Sequence, residues 1–305
     1  MRNLKIIFMG TPDFAIPSLD ILVKHGYNIV AVVTAPDKPR GRGQKLTPSP
    51  VKKYATEHQI PVLQPTNLKA PDFLDQLKNI GVNLQVVVAF RMLPEKVWSY
   101  PAYGTFNLHA SLLPQYRGAA PINWAIMNGE TFTGATTFMI KHEIDTGSII
   151  YQEKAQIKDE DDAGALHDRL MITGAELVLK TVQAIEQDKV ELKPQTETGD
   201  LKKAPKINKD TCQIQWDQPV RQVYNFIRGL APYPAAWTEH EGKILKIYRT
   251  TFVEEPPEQA PGSINSDQKN FLHIAASDGW IQVKELQVQG KKRMQTEEFL
   301  RGNKI

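Results

Sequence analysis

Two side chains with complementary hydrogen-bonding chemistry stand two residues apart in Phe106-Asn107-Leu108-His109, a run of strand-like composition. Side chains at i and i+2 of a strand point to the same side. Asn107 and His109 are therefore expected side by side near the end of a parallel strand, where open α/β sheets place their sites. An amide N–H beside a protonated imidazole N–H suits a developing oxyanion. A third group occurs in Glu143-Ile144-Asp145-Thr146-Gly147. Asp145 falls between strand-like runs at Thr136 to Ile140 and Ser148 to Tyr151, so a connecting loop is expected to carry it. A carboxylate next to an imidazole holds its tautomer and favours its charged form. The residues alone leave a plainer reading open, because an Asn or His in a strand is often structural and Asp-Thr-Gly is an ordinary turn signal.

A sheet must hold these groups, and the sequence supplies its strands. Leu4 to Met9, Ile29 to Val33, Leu84 to Phe90 and Gly104 to His109 are short apolar runs alternating with helical patterns. That alternation predicts a mostly parallel, Rossmann-like sheet covered on both faces. The first turn, Met9-Gly10-Thr11-Pro12-Asp13, lacks the second and third glycines of a dinucleotide-binding loop, and no Walker A loop occurs. A long helix is expected from Asp161-Asp162 to about Gln187. The polar, basic, proline-punctuated stretch that follows reads as a linker. Beyond it, short strands at Ile244 to Tyr248, Phe271 to Ala275 and Trp280 to Val288, with one helix near Val220 to Leu230, predict a small OB-like β-barrel. The expected division is a catalytic domain at 1–189, a linker at 190–206 and a barrel domain at 207–305.

The chain has 305 residues, 41% apolar and 23% charged, with a formal net charge of +3. This length accommodates two domains, and the balance is that of a globular protein. With so small a net charge, any nucleic-acid affinity must reside in local patches. Cys212 is the single cysteine, which excludes an internal disulfide and a cysteine-based zinc site. The apolar run at Ile6 to Met9 is too short for a signal peptide, and no stretch approaches the ~20 apolar residues of a membrane span. A cytoplasmic, metal-independent monomer is expected.

Three motifs occur in order: Met9-Gly10-Thr11-Pro12-Asp13-Phe14-Ala15; Asn107-Leu108-His109-Ala110-Ser111-Leu112-Leu113-Pro114 with Tyr116-Arg117-Gly118-Ala119-Ala120-Pro121; and Ile144-Asp145-Thr146-Gly147. Together they resemble the folate-dependent formyltransferase family over nearly the whole chain. The resemblance implies a catalytic centre of Asn107, His109 and Asp145, with 10-formyltetrahydrofolate as co-substrate. It also implies folate binding by Ser111, Leu112, Leu113 and Pro114, and by a pocket strand at Phe90, Arg91 and Met92. Arg91 departs from the Tyr-Gly pair common at positions 90 and 91 in that strand.

The acceptor is read from charge. Residues 36–53 carry Lys38, Arg40, Arg42, Lys45, Lys52 and Lys53 against one acid, Asp37, in a segment made flexible by Gly41 and Gly43. Such a run alone reads as a solvated loop. Following the second strand, however, it would overhang the sheet end that carries the site. Further basic groups occur at Lys202, Lys203, Lys206 and Lys209, and at Lys291-Lys292-Arg293. Three separated patches on a nearly neutral chain fit a long polyanion. The resemblance implies initiator methionyl-tRNA, its acceptor arm gripped by Arg42 and its neighbours Arg40 and Lys45; the second basic cluster adds Lys203 and Lys206 as expected tRNA contacts. Two alternatives remain: the same chemistry on a small amine such as glycinamide ribonucleotide or an amino-sugar nucleotide, and a non-catalytic RNA-binding protein on a relic scaffold.

Overall fold

The computed structural model describes residues 1–40, 43–197 and 199–303. Seven strands form the first sheet: β1 (Ile6–Gly10), β2 (Ile29–Val33), β3 (Val62–Leu63), β4 (Leu84–Val88), β5 (Thr105–His109), β6 (Phe132–Met139) and β7 (Ile149–Gln156). Their order is β7-β6-β5-β4-β1-β2-β3. β1 pairs in parallel with β2 and β4, β2 with β3, and β4 with β5. β6 reverses direction and runs antiparallel to β5. The mostly parallel Rossmann-like sheet expected from the sequence is present.

The apolar runs form central strands because both of their faces are covered: every residue of β1 and of β4 is buried. Helix ends follow local chemistry. Helix α1 (Ile16–Lys24) begins with proline in its first turn. In α2 (Pro50–Glu57) the Ser49 side chain accepts the Lys52 N–H at 3.0 Å. Helix α3 (Pro71–Ile80) closes on Gly81 in the left-handed conformation. A 24-residue helix, Ala163–Glu186, occupies the stretch expected to be helical.

The chain folds into two units, neither of them contiguous in sequence. The first comprises residues 1–117, 134–155 and 167–202. The second comprises 118–133, 156–166 and 203–305. The second contains a curled antiparallel sheet of β8 (Ala236–His240), β9 (Lys243–Val253), β10 (Ile264–Ser266), β11 (Leu272–Ala275), β12 (Trp280–Val288) and β13 (Met294–Gln295). Its order is β8-β9-β12-β11-β10, with β13 on β12. Its core gathers Val223, Ile227 and Leu230 of helix α4 (Val220–Leu230) with Leu245, Ile247, Ile274, Ile281 and Leu286. The barrel-like domain is thus a half-barrel packed on α4, with Phe299 and Leu300 of the helix Thr296–Gly302 in the same core.

The two short upstream segments of the second unit are held by α4. The buried Arg228 donates from Nη1 to Asp161 O at 2.8 Å, and Tyr224 donates to Asp159 O at 2.9 Å. The helix Pro121–Met127 lies against Gly229, whose carbonyl accepts from Asn123 Nδ2 at 2.7 Å. A Cβ on Gly229 would come within 2.6 Å of Met127 Cγ and 3.0 Å of Met127 N. Glycine to alanine inside a helix ordinarily gains up to ~1 kcal/mol. Here overpacking against backbone reverses the sign, and Gly229→Ala is expected to cost about 1–2 kcal/mol. Urea unfolding of the variant checks this; a stabilised variant would contradict the packing described.

Candidate active site

β5 ends at His109, at the carboxyl edge of the parallel strands. Asn107 lies opposite Val87 and Phe138, and His109 opposite Thr136. Asn107 is half-buried and His109 buried. His109 Nε2 lies 2.8 Å from the Tyr116 carbonyl oxygen. A carbonyl only accepts, so this contact places a proton on Nε2. Nδ1 is then the edge directed at Asp145, whose Oδ2 is 3.8 Å away, with side-chain exposures of 7% and 15%. That separation is longer than a hydrogen bond but within ion-pair range. His109 and Asp145, from separate segments of the chain, are therefore brought together, and Asn107 shares the strand face of His109.

Asp145 sits on the loop between β6 and β7 with φ of 54°. A non-glycine residue holds that conformation only when its surroundings over-determine it. Part of the constraint is the close approach of Gly147 to the end of β6, where a Cβ would collide with the Met139 carbonyl. Met139 N also donates to Ser148 O at 2.9 Å.

The Ser-Leu-Leu-Pro segment is a tightly bonded loop following β5. Ser111 is fully buried, and its hydroxyl donates to Gln115 O at 2.6 Å. Thr136 Oγ1 donates to Ser111 O at 2.6 Å and lies 3.2 Å from Leu113 N. Gln152 Nε2 donates to Leu113 O at 2.9 Å. Leu113 is 3% exposed and packs with Phe138 and Ile149. Ser111 and Leu113 shape the loop, whereas Leu112 and Pro114 retain partial exposure.

Beyond the end of β4, Phe90 is half-buried and Met92 is 69% exposed. Arg91 turns to the loop after β3, donating to Thr66 O at 2.9 Å and to Pro65 O. Its guanidinium caps backbone carbonyls, so the departure from Tyr-Gly has a structural reason here.

The basic segment expected to be a flexible loop contains a two-stranded hairpin, Lys38–Arg40 with Lys45–Thr47, in the register Arg40 opposite Lys45. Arg42 lies outside the described residues. Leu46 is 71% exposed beside Lys45. Lys52 is removed from the positive set by Asp37, 2.7 Å away. The Lys52 and Gln64 hydrogen bonds hold the Asp37 carboxyl below its ordinary pKa. In the second unit Lys203 and Lys206 are exposed. The Lys291-Lys292-Arg293 cluster is largely neutralised: Arg293 pairs with Glu285 at 2.6 Å and Lys292 with Glu298 at 3.0 Å.

No motif points to Gln195, which lies within the stretch read as a linker. Its Nε2 donates to Asp145 O at 2.8 Å and to Gly147 O at 2.9 Å. Composition gives no signal for a contact across 50 positions.

The family model for formyl transferase matches residues 4–182, and that for the formyl transferase C-terminal domain matches 206–304. The chain belongs to the formyl transferase family. Within it, the chain is similar along its whole length to methionyl-tRNA formyltransferases. It is 55% identical to that of Bacteroides fragilis, covering 99% of this chain and 95% of that protein. It is 51% identical to that of Flavobacterium johnsoniae, covering 99% and 97%. Among solved structures, a sugar 3N-formyl transferase, WlaRD, superposes with a TM-score of 0.69 at 21% identity over 96% of this chain and all of that one. HypX from Aquifex aeolicus, in complex with tetrahydrofolic acid, gives 0.67 at 17% identity over 98% of this chain and 47% of that one. At these identities the two structures speak to the fold. Among the described residues no helix is long and apolar enough to cross a membrane.

Proposed function

We propose that the protein transfers the formyl group of 10-formyltetrahydrofolate to the amino group of methionyl-initiator tRNA, acting as a cytoplasmic monomer. The observation that carries the chemistry is the His109–Asp145 pair at 3.8 Å on the strand face of Asn107. The choice of acceptor rests on the 55% identity, across both units, to a protein named for it.

The division proposed is a formyltransferase domain at 1–189 and a C-terminal domain at 207–305 joined by 190–206. An α-amino group has a reference pKa near ~7.7–8.0, so an appreciable neutral fraction attacks the formyl carbon at working pH. As the C–N bond forms, negative charge collects on the formyl oxygen. The Asn107 amide donates to it and the positive charge of the protonated His109 ring stabilises it, with Nε2 anchored on Tyr116 O and Nδ1 facing Asp145. Asp145 and His109 relay the proton lost by the attacking amine to the departing folate nitrogen, whose bond to the formyl carbon breaks. Leu112, Pro114, Phe90 and Met92 are assigned the folate site, with Ser111, Leu113 and Arg91 holding its walls. Arg40, Arg42 and Lys45 are assigned the tRNA acceptor arm, and Lys203 and Lys206 a second contact.

Turnover of 10-formyltetrahydrofolate with charged initiator tRNA tests the whole reading. Formylation of a small amine in preference to the tRNA, or no formylation at all, would overturn it. Gly147→Ala is a sharper check on the site. By displacing the Asp145 loop from β6 it is expected to lower turnover about 100-fold, the scale of a ~1 Å misplacement. A rate within threefold of wild type would show that the loop's seat is unimportant.

A further inference from the structure

We propose that Gln195, aimed by Arg117, is a positioning residue that fixes the Asp145 carboxylate against His109. This rests on the reading of Asp145 and His109 as catalytic.

Gln195 approaches the loop with both ends of its amide committed. Nε2 donates to Asp145 O and Gly147 O at 2.8 and 2.9 Å. Oε1 accepts from Arg117 Nη2 at 2.6 Å and Nε at 3.0 Å. Only one orientation satisfies this arrangement. A flipped amide would set its oxygen against two carbonyls and its NH2 against a guanidinium, which has donors only. Arg117 is fixed in turn by Glu197, whose Oε1 lies 2.6 Å from Nη1. The strap carrying Gln195 and Glu197 is tied to the start of β7, because Ile149 N donates to Lys193 O at 2.7 Å and Lys193 N to Ile149 O at 2.9 Å.

The consequence falls on the one strained residue of the trio. Asp145 has φ of 54°, and its loop must hold that conformation for Oδ2 to reach within 3.8 Å of His109 Nδ1. Gln195 grips the carbonyls on either side of Thr146, fixing the backbone from which the Asp145 side chain projects. Held this way, the carboxylate meets Nδ1 without reorganisation during the reaction, which is how a rigid polar site accelerates charge development. The basic, proline-rich strap therefore contributes to the reaction, although its composition resembles that of a spacer.

The test is a double-mutant cycle on the full-length protein, read by single-turnover formyl transfer with both substrates saturating. Gln195→Leu is expected to reduce the rate roughly 10- to 100-fold, with the KM for each substrate within threefold. In an Asp145→Asn background the same change is expected to have less than a twofold effect, since the carboxylate it positions is gone. A purely structural role would lower both backgrounds equally, and equal losses overturn the proposal, as does a wild-type rate in Gln195→Leu. Gln195→Asn, which keeps the amide but falls one methylene short, must reproduce the loss; it serves in place of Gln195→Leu if that variant fails to fold. If the wild type itself does not formylate the tRNA, the function reading fails. If the wild type formylates and the cycle is additive, the positioning role alone fails.

Discussion

Asp145→Asn is expected to lower single-turnover formyl transfer by roughly 10²–10³-fold while folate binding and the unfolding midpoint stay near wild type. The side chain keeps its volume, so the loop seated by Gly147 and Gln195 has no steric reason to move. What changes is the group 3.8 Å from His109 Nδ1, where a neutral amide replaces a carboxylate. The imidazolium whose charge stabilises the oxyanion loses its partner, and the magnitude is that of removing one oxyanion-stabilising group in other enzymes. His109→Ala should cost at least as much, and it differs in stability. It leaves the Tyr116 carbonyl without its 2.8 Å donor, so about 1–3 kcal/mol of destabilisation should accompany the loss of activity. Rapid-quench kinetics with charged tRNA, together with urea unfolding, separates the two effects. Turnover near wild type in either variant would move the catalytic centre elsewhere.

Arg42→Ala combined with Lys45→Ala is expected to impair use of the tRNA strongly while leaving folate affinity unchanged. Arg40 and Lys45 are opposite each other in the hairpin register with Leu46 exposed next to Lys45, and Lys52 is already paired with Asp37. The charge that remains for phosphates is concentrated at 38–45. If each side chain displaces one counterion, losing two flattens the slope of log K against log salt by about 1.8 units. A change in discrimination between initiator and other tRNAs without a change in slope would instead mean contacts to base edges. Both outcomes keep the segment on the tRNA. Formylation kinetics unaltered at physiological salt would return the hairpin to an ordinary solvated surface and raise the case for a small acceptor.

Much of this molecule was determined by sequence pattern alone. The runs at Ile6–Gly10 and Leu84–Val88 become fully buried central strands because, with Gln85 the one polar side chain in them, neither has a polar face to expose. The i, i+2 spacing puts Asn107 and His109 on one side of β5, since strand alternation is a local rule. The helix expected to end near Gln187 ends at Glu186. Tertiary structure alone decided which imidazole nitrogen is anchored and which faces Asp145, because both partners arrive from other segments. It alone also turned the basic segment into a hairpin, where backbone pairing across Gly43 outweighs the flexibility that glycine content implies. The short segments at 118–133 and 156–166 join the second unit through Arg228, Tyr224 and Gly229, contacts that no periodicity encodes. The same holds at 193–197, where polar composition says nothing of where the backbone is hydrogen-bonded. Gln195 reaches Asp145 across 50 positions, and a contact of that span is set by the folded path of the chain rather than by any local preference.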